Sequence, residues 1–134
     1  MLRALAPAGV RVAMVSSNGE DVIRRVLGPH VSALVDDFEC GAALFGKAGK
    51  FRRVVRRAAV ARALTVGVGD ETRDIDAATA AGIASAAVTW GYATHDALES
   101  RSPTHVVTSV GALTALLTGR ADPTSCPSCA PSGR

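Results

Sequence analysis

The stretch Val68-Gly69-Asp70-Glu71-Thr72-Arg73-Asp74-Ile75-Asp76-Ala77-Ala78-Thr79-Ala80-Ala81-Gly82-Ile83 decides the fold. In front of it, Leu64 to Val68 is a short apolar run of the kind that forms a buried strand. The run breaks at Gly69-Asp70-Glu71-Thr72, and Arg73 to Ala81 then has the alanine content of a helix. Gly82 stops that helix, because glycine closes helices in the left-handed region at no steric cost. Ile83 to Thr89 is a second apolar run, ending at Trp90-Gly91-Tyr92. Strand, helix and strand in this order predict a βαβ unit and a largely parallel sheet.

The same alternation continues on both sides. Residues 2 to 9 read as a helix end and a Pro/Gly turn. Val10 to Val15, interrupted only by Arg11, predicts a buried strand that stops at Ser16-Ser17-Asn18-Gly19. Glu20 and Asp21 open a helix running to about Leu27. Their charges, with Arg24 and Arg25 later, suit the helix dipole, and Gly28-Pro29 ends it. Ser32 to Phe38 reads as a second strand and Gly41 to Gly49 as a loop. Phe51 to Ala63 reads as a helix with Val54, Val55, Ala58, Ala59 and Ala63 on its apolar side. After Tyr92 come a short helix at His95–Glu99, a small strand at Thr104–Thr108 and a helix at Val110–Leu117. The expectation is an α/β domain, a Rossmann-like three-layer sandwich with a mainly parallel sheet, over residues 1–118. Residues 119–134, rich in Pro, Ser and Gly, are expected to form a disordered tail.

With 134 residues, 48% of them hydrophobic and only 4% aromatic, the chain suits one domain with an aliphatic core. No apolar run approaches the roughly 20 residues of a membrane span, and no apolar segment precedes Arg11 without interruption. A cytoplasmic protein with no membrane partner is expected. Three cysteines make no disulfide framework: Cys40 stands alone, and Cys126-Pro-Ser-Cys129 lacks the second ligand pair of a zinc site. His30, His95 and His105 are too scattered for a shared metal site. The run Lys47, Lys50, Arg52, Arg53, Arg56, Arg57 contains no acid and places its arginines at i,i+4 spacing. It reads as a solvated helix face. Nucleic acid is not an expected partner, since aromatic side chains for base stacking are scarce.

Ligands of an open parallel sheet bind beyond the carboxyl ends of its strands. Three groups fall there: Ser16-Ser17-Asn18, Lys47 with Lys50, and Asp70 with Asp74. Singly, they read as helix caps and solvated charges. Together they offer a hydroxyl with backbone N–H groups, a cation and two carboxylates, a set able to hold a phosphate oxyanion and a divalent metal. Gly41 to Lys47 falls short of a phosphate-binding GxxxxGK[ST] loop, because Ala48 stands where the hydroxyl belongs.

Strand–Ser16, then a lysine, then Gly69-Asp70-Glu71-Thr72-Arg73-Asp74, then Ala77-Ala78-x-x-Ala81-Gly82-Ile83, resembles the haloacid dehalogenase-like (HAD) hydrolase superfamily, its phosphoglycolate phosphatase-like branch in particular. The resemblance covers residues 2 to 117. It implies Mg²⁺-dependent hydrolysis of a small phosphorylated metabolite through an aspartyl-phosphate. Ser16 would hydrogen-bond the phosphoryl oxygens, with Ser17 and Asn18 beside it. Lys47 would be the charge-neutralising lysine, with Lys50 as the alternative; Ala48 replaces the family's usual proline after it. Asp70 would ligate Mg²⁺ and Asp74 would orient the metal shell. The family's first motif, DxDG[ST], supplies the nucleophile, and these 134 residues contain no such motif; the Asp36-Asp37 pair does not match it. The expectation is therefore a partial core lacking the family's first strand and cap, inactive alone and prone to self-association through exposed strand edges. The alternatives are a non-catalytic phosphate- or Mg²⁺-binding module, and a basic interaction protein using the Arg52–Arg57 helix.

Overall fold

The computed structural model describes residues 1–44 and 46–120; Cys126 and Cys129 lie outside them. A short helix α1 (Leu2–Leu5) and a 3₁₀ turn (Ala6–Ala8) lead into β1 (Ala13–Val15). Then follow α2 (Glu20–Ser32), β2 (Asp37–Glu39), α3 (Gly46–Ala58), β3 (Val66–Gly69), α4 (Thr72–Ala81), β4 (Ala84–Val88), α5 (His95–Glu99), β5 (His105–Val107) and α6 (Val110–Thr118). Every strand pair is parallel. The architecture is Rossmann-like α/β, as the sequence predicts.

Three layers follow from the alternation of side chains along β4. Ala86 and Val88 pack with Val107 and Leu113, on the side covered by α6. Ala87 points the other way, into Ile75 of α4 and Leu98 of α5. Small alanines on β4 and α4 let helix and sheet approach closely, and Ala78 and Ala87 are fully buried.

Two sequence expectations are corrected. Ser32 to Phe38 is not a strand. Gly28 takes φ 75° and Pro29 restarts a helical turn that runs to Ser32, as proline does at a first helical position. Only Asp37–Glu39 pairs with β1, and Asp36 caps that ladder by accepting the Val12 N–H at 2.7 Å. Nor is all of Gly41–Gly49 a loop. α3 begins at Gly46 and ends at Ala58, so Lys47 and Lys50 stand on its first turns.

The sheet itself is split. β1–β2 form one ladder and β3–β4–β5 another, with no pairing between β1 and β3. α3 spans the division. Its buried Phe51 packs with Ala77, Ala78 and Ile83, and Val15 of β1 leans on the same cluster. A side chain at Gly67 of β3 would put its β-carbon 3.1 Å from the Phe51 ring. On the far half of α3, Arg57 donates to Asp37 at 2.8 Å and to Glu39 at 2.7 Å, and Arg53 lies 3.3 Å from Glu39. Two of the four arginines of the basic face thus pin β2 to α3. Among the described residues, no helix is long and apolar enough to cross a membrane.

Candidate active site at the strand ends

Ser16 follows β1 directly, and its N–H continues the ladder to the Glu39 carbonyl at 3.1 Å. The chain then turns tightly, with the Ser16 hydroxyl accepting the Asn18 N–H at 3.1 Å. Asn18 in turn accepts the Gly41 N–H at 2.7 Å, which ties the loop after β1 to the loop after β2. Ser17 and Asn18 are exposed and Ser16 is half-buried.

Lys50 seals this junction. Its Nζ donates to the carbonyl oxygens of both Ser16 and Gly41, and the residue is only 4% exposed. Both partners are neutral. Among the described residues no carboxylate comes within ion-pair distance of this buried ammonium, whereas buried charges are ordinarily paired. Lys47, one turn earlier and partly exposed, is instead ion-paired with Asp74. The structure therefore brings Lys50, rather than Lys47, to Ser16.

Asp74 is buried and fully engaged. One oxygen meets Lys47; the other accepts the Glu71 N–H at 3.1 Å, completing a capping box that starts α4. Gly69 is required here, because a β-carbon on it would overlap the Asp74 carboxylate. Asp70, at the end of β3, is half-buried. Its Oδ2 accepts the Tyr92 N–H at 2.9 Å and its carbonyl accepts the Ala93 N–H at 3.0 Å. Its Oδ1 has no hydrogen-bond donor among the described residues.

The predicted set thus separates into two corners, Ser16 with Lys50, and Asp70 with Asp74 and Lys47. The sequence suggests that Trp90 and Tyr92 pack the loop after the fourth strand, close to the site mouth. Both side chains are instead exposed, and what the sequence does not show is that the backbone of the Trp90–Ala93 turn grips Asp70. The glycine inside Trp90-Gly91-Tyr92, just past an apolar run, is the signal that could have found it. Cys40, beside Lys50, is no activated nucleophile. Burial pushes its thiol pKa up and the Glu20 carboxylate adds to the rise, against a smaller lowering by Lys50. His30 and His95 are exposed and His105 is half-buried, and the described residues contain no cluster of three metal-ligating side chains.

Magnesium takes one or two carboxylates and fills its octahedron with water and phosphate oxygens. Asp70, with one unengaged oxygen, fits one such ligand position. Asp74, with both oxygens engaged by Lys47 and the Glu71 N–H, offers no such open position.

The HAD-hydrolase-like family model matches residues 45–113. The chain is 37% identical over 112 residues to the tyrosine-protein kinase PtkA of Mycobacterium tuberculosis, covering 79% of this chain and 38% of that protein. It is 29% identical over 104 residues to the phosphoglycolate phosphatase of Synechococcus elongatus, covering 77% and 49% respectively. The chain thus spans about half or less of the length of these curated relatives. Among solved structures, the D,D-heptose 1,7-bisphosphate phosphatase of B. bronchiseptica, in complex with magnesium and phosphate, superposes with a TM-score of 0.69 at 22% identity. That match covers 90% of this chain and 82% of that one. A parallel α/β core with the Gly69–Asp74 turn, matched over half its length by one family model, belongs to the HAD-hydrolase-like family.

Proposed function

We propose that these residues form the phosphate-handling part of a HAD phosphatase core, acting on a small phosphomonoester with Mg²⁺. The observation that carries this reading is Lys50, a buried ammonium held by two carbonyls at the carboxyl end of β1, with no counter-charge in ion-pair range among the described residues. An anion placed there would compensate it. Ser16 and the N–H groups of the following turn would donate to phosphoryl oxygens. Asp70 would hold Mg²⁺, which neutralises phosphate charge when bound, and Asp74 would keep Lys47 in place.

The nucleophile belongs to the gap in the sheet. β1 and β3 each leave one edge unpaired, and α3 holds the two half-sheets in one body. An extended apolar segment ending in an aspartate would satisfy both edges and bring a carboxylate toward Lys50. We place the attacking aspartate on such a segment, outside these 134 residues. The test is p-nitrophenyl phosphate hydrolysis with Mg²⁺. The chain alone should not turn over, for want of a nucleophile; adding an aspartate-bearing strand segment should restore activity. Turnover by the chain alone that Asp70→Ala abolishes would overturn the proposal and assign the attack to another residue.

The 37% identity to PtkA favours a second reading, phosphoryl transfer to a protein tyrosine, the activity that relative's name gives. Transfer from ATP to a tyrosine peptide, exceeding hydrolysis in the completed protein, would select it.

A further inference from the structure

Gly91 and the turn around it do for Asp70 what Gly69 does for Asp74. A β-carbon on Gly91 would overlap the β-carbon and carboxylate of Asp70. The next two residues close on the same aspartate, Tyr92 N–H on its Oδ2 at 2.9 Å and Ala93 N–H on its carbonyl oxygen at 3.0 Å. Tyr92 is 85% exposed and Trp90 47% exposed. Ala93 packs on the Ile75, Ala87 and Leu98 cluster and anchors the end of the turn. The exposed Trp90 and Tyr92 add no such anchor, and the contacts with Asp70 fix the rest of the turn and Asp70 in return. A carboxylate with one oxygen fixed by a backbone donor has its other oxygen fixed in direction, which is how outer partners orient a metal ligand.

We propose that Gly91 is a positioning residue for Asp70, and that the Trp90–Ala93 turn aims the unengaged Oδ1 at its cation. This rests on the reading of Asp70 as a Mg²⁺ ligand, but the clamp and the metal can be tested apart. The clamp is read by amide hydrogen exchange in the ¹⁵N-labelled full chain. Tyr92 and Ala93 should be protected despite their exposed turn. Gly91→Ala should abolish both protections, whereas Asp70→Ala should abolish that of Tyr92 and spare that of Ala93, whose acceptor is backbone.

The metal is read with Mn²⁺, as paramagnetic broadening around residues 69–72. Gly91→Ala should weaken its binding about 10- to 100-fold, and so should Tyr92→Pro, which keeps Gly91 and removes the donor. The second variant guards against Gly91→Ala misfolding, and unchanged amide dispersion over β4 and β5 marks a preserved fold. Protection and Mn²⁺ affinity unchanged in both variants would overturn the inference. Normal protection in the unsubstituted chain without Mn²⁺ broadening would instead overturn the metal reading and leave the clamp standing.

Discussion

Lys47 and Lys50 lie one turn apart on α3 in different environments. Lys50 is buried against two carbonyls with no carboxylate in ion-pair range among the described residues. Lys50→Met therefore leaves the Ser16 and Gly41 carbonyls without that donor and should cost about 1–3 kcal/mol. The same change should remove orthophosphate binding, read as ³¹P line broadening. That loss in urea denaturation with phosphate binding intact would make Lys50 a structural residue. Lys47→Met leaves Asp74 buried with a single donor, and should cost about 1–3 kcal/mol. At Cys40 the raised pKa leaves less thiolate at neutral pH. Iodoacetamide should therefore alkylate it more slowly than a free cysteine, with peptide mapping to isolate the site. Faster labelling would contradict the burial and charge described for it.

At the scale of elements, α3 is the beam between two half-sheets, and its Phe51 sits in the cluster on which Val15 of β1 leans and beside Gly67 of β3. Phe51→Ala should cost about 3–5 kcal/mol, as large-to-small changes of buried phenylalanine do. Loss of tertiary signal on both sides of the division, measured by near-ultraviolet dichroism and amide dispersion, would show that the beam had failed. The β3–α4–β4 unit was readable because its signals are local: an apolar run, acidic residues at the turn, alanines, then Gly82 in the left-handed region. The start of α3 was hidden. Gly46 and Gly49 weaken helix propensity and the first turn is basic, so nothing apolar marks it. The turn from Pro29 to Ser32 was hidden by the Gly28-Pro29 pair, which ends one helix while starting another. Ser16 and Asp70 follow strands, as the sequence places them, and Asp74 lies on the first turn of the helix after β3. The exchange of partners between Lys47 and Lys50 was not legible, because it depends on which side of α3 meets β1. The Gly91 contact joins residues 21 positions apart across two strands, and no local pattern announces it.

For the whole molecule, the divided sheet governs behaviour. Strands of three and four residues carry little pairing of their own, and among the described residues β1 and β3 each leave one edge unpaired. Unpaired edges template association with other chains, and a domain holds only about 5–15 kcal/mol in total. We expect the isolated 134 residues to associate in light scattering and to melt low. The most direct measurement is the thermal melt with and without an extended apolar segment ending in aspartate. The segment should raise the midpoint progressively with its concentration, continuing beyond saturation, as any ligand of the folded state does, and return the chain to a monomer. A monodisperse monomer melting cooperatively above about 65 °C, indifferent to the segment, would contradict it, because β1 and β3 would then need no strand between them.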